Sequence, residues 1–139
     1  RYLGRVHRHH FALLDKKVRN LNIPISASQF MLLHALYKND GVSQHEIAEF
    51  FQVDKAAVTR GLKKLEKASF VRRQQDKDDG RKIVVHLTEK ALKFRSRHED
   101  ILGELDTIMK SVLEEYEKKE LIRLLEKLEQ GLARLSAEE

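Results

Sequence analysis

Two helix-start signals stand eleven residues apart near the middle of this chain, and few folds accommodate both. Ser43-Gln44-His45-Glu46 carries a capping box, in which a serine hydroxyl and a glutamate carboxylate satisfy each other's backbone N–H groups. Asp54 is a good N-cap for a helix running to about Ser69. So little chain between two caps leaves room for a short helix through Phe51 and a tight turn. Ile47 and the small Ala48 fall on the inner face of the first helix, Val53 is expected to fill the turn, and Val58, Leu62 and Leu65 seat the second helix on a core. This is helix-turn-helix logic.

The flanking segments extend the pattern. Residues 2–21 place Leu3, Val6, Leu13, Leu14, Val18 and Leu21 at helical steps, and Pro24 disfavours helix in the residue before it. Ser26 with Gln29 is another capping box, opening a helix that ends near Asn39-Asp40-Gly41. After Ser69 the period changes. Phe70 to Gln74 and the β-branched run Lys82 to Leu87 read as two strands joined by a charged tip, Gln75 to Arg81. Thr88 caps a long helix to about Leu113, and a last helix spans roughly Glu117 to Ala137. Phe94, His98, Ile101, Leu105, Ile108 and Val112 form one heptad-like seam, and Leu121, Leu125, Leu128, Leu132 and Leu135 another. These seams exceed what one small core requires, so the terminal helices are expected to build a homodimer.

Composition removes whole classes of function. With no cysteine among 139 residues, disulfides, thiolate zinc sites and thiol chemistry are excluded. No apolar run approaches the roughly 18 residues of a membrane span, and no signal peptide is visible. The expectation is therefore a soluble cytoplasmic protein with no membrane partner. The chain opens on Arg1 rather than methionine, so a short segment is expected ahead of it. No phosphate loop, nucleophile elbow or metalloprotease helix occurs, so no enzyme is expected. Asp76, Asp78 and Asp79 cluster on a polar tip better suited to a turn than to excluding water.

Charge is segregated along the chain. Residues 52–98 carry 14 basic and 6 acidic side chains, whereas residues 99–139 carry 6 and 12. A basic middle points to a polyanion. The second helix of the pair presents Lys55, Ala56, Thr59, Arg60, Lys63 and Lys64 opposite its apolar stripe, with Lys67 beyond them. Alanine and threonine can meet a thymine methyl, arginine can fork onto guanine, and lysines neutralise phosphates. On the hairpin, Arg81 sits beside Asp79-Gly80, where a guanidinium can enter a narrow minor groove and Asp79 can fix its direction. Arg72, Arg73, Lys77 and Lys82 are phosphate-contact candidates. Double-stranded DNA is the expected partner. The same surface on a protein-interaction module, or on a non-specific architectural DNA-binding protein, is the alternative.

From Ser43 to Thr88 the chain resembles the multiple antibiotic resistance regulator (MarR) family of winged-helix repressors. The resemblance rests on Val53-Asp54-Lys55-Ala56-Ala57-Val58-Thr59-Arg60, on Leu65-Glu66-Lys67-Ala68-Ser69-Phe70-Val71, and on Asp79-x-Arg81 with Leu87-Thr88. Ser69 departs from the glycine of many relatives. The resemblance implies a mainly helical prokaryotic regulator with a small β-hairpin wing, repressing from a pseudo-palindromic operator as an obligate homodimer. It also implies Lys55, Thr59 and Arg60 in the major groove and Arg81 in the minor groove. Residues 1–139 then form one domain, with 26–88 as the DNA-binding lobe and 1–22 and 89–139 as dimerisation helices.

Relatives that bind small aromatic effectors do so between lobe and dimerisation helices. Helical spacing makes His10, Phe11, Leu14, Phe30, Leu33, His34 and Tyr37 candidates for such a cleft, although apolar helical stripes usually serve packing alone. Seven histidines are present, with His7 and His10 one turn apart, but no pattern makes them converge, so neither a metal nor a cofactor is assigned.

Overall fold

The computed structural model describes residues 1–51 and 53–137. Among them are six helices and three strands, in the order α1 (Tyr2–Arg19), α2 (Ala27–Lys38), β1 (Val42–Ser43), α3 (Gln44–Phe51), α4 (Lys55–Lys67), β2 (Val71–Gln75), β3 (Ile83–Leu87), α5 (Glu89–Ser111) and α6 (Glu115–Ala137). Glu138 and Glu139 lie outside the described residues, as does Gln52, so the helical region expected over 89–139 is followed as far as Ala137. The fold is the expected one: mainly helical, with a small antiparallel sheet. The chain divides into two compact units, Arg1–Leu102 and a second beginning at Gly103.

In the first unit the caps set the helix starts. Ser26 Oγ accepts from the Gln29 amide at 3.4 Å while Gln29 Oε1 accepts from the Ser26 amide at 2.9 Å, closing the expected box. Ser43 and Glu46 repeat it at 3.2 and 2.7 Å. Asp54 Oδ2 accepts from Ala57 at 3.2 Å and starts α4. α1 stops at Arg19 rather than Leu21, because Leu21 and Asn22 turn back onto Val18 and Arg19 and Asn22 adopts φ 53°. Of the expected α1 stripe, only Leu14 and Val18 are buried.

The sheet has an order β1-β3-β2, so the hairpin is joined by a strand that the sequence did not announce. β2 pairs with β3 from Val71↔Leu87 to Gln75↔Ile83, and β1 adds Val42↔Val85 and Ser43↔Val84. Asp40 and Gly41 bring β1 there. Asp40 Oδ1 accepts from Leu87 N at 2.8 Å, and Gly41, at φ 75°, donates to Val85 O at 3.0 Å.

Ile47, Val58, Leu62 and Leu65 are buried with Phe30, Leu33 and Leu36 from α2, Phe70 ahead of β2, and Val71 and Val85 from the sheet. Val53 does not fill the turn: it is 47% exposed, and the turn is closed instead by its amide donating to Ala48 O at 3.2 Å. α4 ends where Ser69 takes φ 63°. That left-handed residue is bracketed by α5, since Lys90 Nζ donates to Ala68 O at 2.7 Å and Thr88 Oγ1 donates to Ser69 O at 2.7 Å. Lys90 also sits 4.5 Å from the Phe70 ring centroid.

His98 of α5 is wholly buried. Its ring stacks on Phe30 at 4.0 Å and meets Tyr37 edge-on at 4.9 Å, with His34 stacked at 5.5 Å. Nε2 donates to Phe30 O at 3.1 Å, so Nδ1 is the unprotonated nitrogen, buried with no hydrogen-bond partner among the described residues. Burial holds this imidazole down at about 4, against the raising effect of the Phe30 carbonyl.

In the second unit, α6 starts at Glu115, two residues ahead of expectation, because Glu117 Oε2 accepts from the Glu114 amide at 2.8 Å. No described side chain of α6 is buried. Leu121, Leu125, Leu128, Leu132 and Leu135 are all exposed, as are Ile108 and Val112 at the end of α5.

Two outcomes follow from the strained turn and the buried imidazole. Ser69→Gly removes the left-handed penalty on a side chain and is expected to add about 0.5–1 kcal/mol, read as a higher urea midpoint. The folded state binds fewer protons at His98 than the unfolded chain does, since its value is depressed from 6.5 to about 4. Stability contributed there is complete above the unfolded value and is lost as pH falls from about 6.5 toward 4, by at most ~1.4 kcal/mol per pH unit. His34, also lowered by burial, adds in the same direction. Urea titrations of His98→Phe across this window are expected to slope less than wild type.

Candidate nucleic-acid interface

α4 packs Val58, Leu62 and Leu65 inward, and this fixes which side chains face out. Lys55, Ala56, Arg60, Lys63 and Lys64 are exposed along one side, and Lys67 is exposed in the last turn. None of these cations makes an ion pair among the described residues, unlike Lys93 and Arg95 of α5, Lys110 at its end, and Lys118 and Arg123 of α6. Thr59 is only partly accessible. Its hydroxyl donates to Lys55 O at 2.9 Å and accepts from Gln44 Nε2 at 3.4 Å, so its methyl and remaining lone pair are what it can offer a base.

The hairpin tip is organised by carboxylates. Asp76 Oδ1 accepts from the Asp78 and Asp79 amides at 2.8 and 2.9 Å, and those backbone donors lower its pKa. Asp79 Oδ1 in turn accepts from Arg81 N at 3.1 Å and Arg81 Nε at 3.2 Å. The expected Asp79–Arg81 brace is therefore made, with the Arg81 side chain 93% exposed. Arg72, Lys77 and Lys82 are also exposed.

Arg73 is a correction. Its guanidinium lies on Glu66 of α4, with Nε and Nη2 donating to Oε2 at 2.9 and 2.6 Å, while its amide donates to Oε1 at 3.0 Å. Those bonds hold the Glu66 carboxyl below the usual carboxylate range. Arg73 is thus a link between the second helix and the hairpin, and its charge is already answered. Sequence spacing alone could not separate it from Arg72, although alternation along a strand puts the two on opposite faces.

The expected effector residues also divide. A cavity of about 750 Å³ opens between α1, the start of α2 and α4, and His10, Phe11 and Leu14 line it. Phe30, Leu33, His34 and Tyr37 do not. Phe30, Leu33 and Tyr37 are buried, and the His34 and Tyr37 rings lie against His98, with Tyr37 Oη donating to Ala91 O at 2.6 Å. They sit on the face of α2 turned to α5, whereas Ser28, Met31 and Leu32 face the cavity. Arg60, Gly61 and Lys64 of α4 complete its wall, with Phe51 and Val53. Helical spacing on α2 separates these two faces, and burial shows which one is open.

Comparison with known proteins matches this arrangement. Residues 25–83 match the MarR family model. The HTH-type transcriptional regulator BilQ of Clostridium symbiosum (strain WAL-14163) is 30% identical over 128 residues, which covers 91% of this chain and 88% of that protein. The crystal structure of a MarR transcriptional regulator from Methanosarcina mazei Go1 agrees with a TM-score of 0.86 at 27% identity, over 96% of this chain and 95% of the other. A mutant MarR from E. coli complexed with operator DNA agrees with a TM-score of 0.82 at 25% identity, over 91% and 90%. With its helix order, capped helix pair and braced hairpin, the chain belongs to the MarR family: it is a helix-turn-helix transcriptional regulator and not an enzyme.

Proposed function

We propose that this regulator is a cytoplasmic prokaryotic repressor that binds a pseudo-palindromic operator as a homodimer and releases it when a small molecule binds. The observation that carries this reading is the unpaired cationic face of α4 beside the Arg81 tip braced by Asp79. Lys55, Ala56, Thr59 and Arg60, early on α4, enter the major groove, with Arg60 reading guanine. Lys63 and Lys64 neutralise phosphates, as do Arg72, Lys77 and Lys82. Arg81 enters the minor groove. Repression then follows from a bound dimer excluding polymerase at an overlapping promoter.

The exposed leucine seam of α6, with the end of α5, supports the homodimer, because a stripe of that length in water is stable only against another helix. A dimer sets two reading helices about 34 Å apart, one turn of DNA. The operator complex of E. coli MarR supports DNA as the partner.

Arg81→Ala is expected to weaken binding to an operator selected from genomic fragments by about 1–3 kcal/mol, measured by fluorescence anisotropy, while the dimer stays intact. Unchanged affinity removes the wing contact. Wild-type binding is expected to fall steeply with salt, and salt-insensitive or absent duplex binding would instead mark a protein-interaction surface. Leu125→Glu with Leu132→Glu is expected to sediment as a monomer and to lose cooperative operator binding. A dimer persisting in that variant would refute the seam.

A further inference from the structure

Gln44, the first residue of α3, is only 8% exposed although its amide is strongly polar. Its Nε2 donates to Thr59 Oγ1 of α4 at 3.4 Å, whereas its Oε1 is buried with no hydrogen-bond partner among the described residues. The Thr59 hydroxyl decides which end of the amide meets it. Its one proton is already given to Lys55 O at 2.9 Å, so only lone pairs remain and the neighbour must be a donor. Oε1 is therefore turned the other way, and a buried acceptor left unmet costs stability. An apolar side chain of the same length would fill the position without that cost. The place of Gln44 is also set from both sides of the chain. Ser43 pairs with Val84 in the sheet and forms the capping box with Glu46, which fixes the first turn of α3.

We infer that Gln44 is a positioning residue for base reading: its amide draws the Thr59 hydroxyl toward α3 and leaves the Thr59 methyl to meet a thymine methyl in the major groove. The inference rests on the proposed DNA-reading role of α4. Threonine in a helix divides between two χ1 rotamers, because its hydroxyl reaches a carbonyl of the preceding turn from either. The rotamers differ in whether Oγ1 or the methyl takes a given branch of Cβ, so they show a base different surfaces. Two states of similar energy need little to separate them, and one long hydrogen bond suffices. With Oγ1 donating to Lys55 O and accepting from Gln44, the methyl is the branch free to face outward from this partly accessible site. Gln44 is itself too buried to reach a base. The unmet Oε1 is then the stability that the fold gives up to keep a donor beside Thr59.

The test uses the intact chain and an operator selected from genomic fragments, with copies in which each thymine is replaced in turn by uracil, which lacks only the methyl. The ratio of the two Kd values cancels whatever acts on both duplexes alike. Wild type is expected to bind the thymine duplex about fourfold tighter at one position of each half-site. Thr59→Ser, which keeps the hydroxyl, is expected to bring that ratio to about one. No thymine-sensitive position in wild type, or a ratio that survives Thr59→Ser, defeats the reading of Thr59 on which the inference rests. Gln44→Met removes the donor and sets an apolar chain where the Thr59 methyl is drawn to it. It is expected to bring the same ratio to about one while the urea midpoint holds or rises, since no buried donor is left unmet. Gln44→Leu replaces it if Gln44→Met shows no cooperative unfolding transition. Thr59→Val carries a methyl on either branch, so it is expected to keep a ratio of about fourfold with or without Gln44→Met. A ratio that Gln44→Met leaves unchanged while Thr59→Ser removes it overturns the inference. So does a lowered ratio that Thr59→Val fails to restore in the double variant. A fallen urea midpoint with both duplexes weakened alike also overturns it, and would mark Gln44 as support for the helix pair alone.

Discussion

Everything that this protein can present to a duplex hangs from the chain between Ala68 and Phe70. Three consecutive carbonyls just past α4 are taken by Thr88, which precedes α5, and by Lys90 in its first turn: Ala68 O by Lys90, Ser69 O by the Thr88 hydroxyl, and Phe70 O by the Thr88 amide at 3.1 Å. Helix ends usually leave such groups to water. Here they tie α4 to the helix that follows the hairpin, and Glu66 with Arg73 ties it to β2 of the hairpin itself. The orientation of α4 relative to the Arg81 hairpin is therefore fixed by charged and hydroxyl hydrogen bonds rather than by the sheet alone. Lys90 contributes twice, since its stem and ammonium also cover Phe70.

The same helix is anchored at a second level by the aromatic knot around His98. A neutral imidazole is an odd choice for a core, because one nitrogen must go unpaired once Nε2 has met the Phe30 carbonyl. What it supplies is a flat ring that stacks on Phe30 and a donor that reaches a helix carbonyl, which leucine cannot do. Tyr37 closes the other side by donating to Ala91 O. α2 is thus gripped by α5 at two polar points inside an apolar setting, and this is why Phe30, Leu33 and Tyr37 are unavailable to a ligand.

Much of the fold was legible because it is written in caps. Ser26, Ser43 and Asp54 mark helix starts through side chains that satisfy specific amides, so local sequence suffices to find them. The run of β-branched residues Ile83-Val84-Val85 likewise reveals β3. What stayed hidden depends on pairs distant in sequence. β1 is two residues long and exists because Asp40 reaches Leu87, a contact spanning 47 positions. Arg73 looked like its neighbour Arg72 until Glu66, on another element, claimed it. Residue type alone suggests a core role for Val53, yet a backbone bond already closes that turn and leaves the side chain exposed. Ser69 carries the turn that glycine fills in many relatives, because Thr88 and Lys90 over-determine its left-handed backbone.

The distribution of carboxylates decides which cations remain available. On α5 and α6, Lys93, Arg95, Lys110, Lys118 and Arg123 each have an acidic partner three or four residues away, so those helices carry charge without projecting much field. On α4 the only acidic side chain is Glu66, and it turns away to Arg73. Lys55, Arg60, Lys63, Lys64 and Lys67 are left as a stripe with nothing to neutralise it, which is costly for an isolated helix and is relieved by an approaching polyanion. At the tip the solution is different. Arg81 keeps a partner, but Asp79 holds it through Nε and the backbone amide, so the two terminal nitrogens stay outward. A carboxylate used in that way lowers the entropy lost on insertion without quenching the donor atoms that would enter a groove. Pairing has the opposite consequences at Arg73 and Arg81 because one guanidinium is spent on its partner and the other is merely aimed by it.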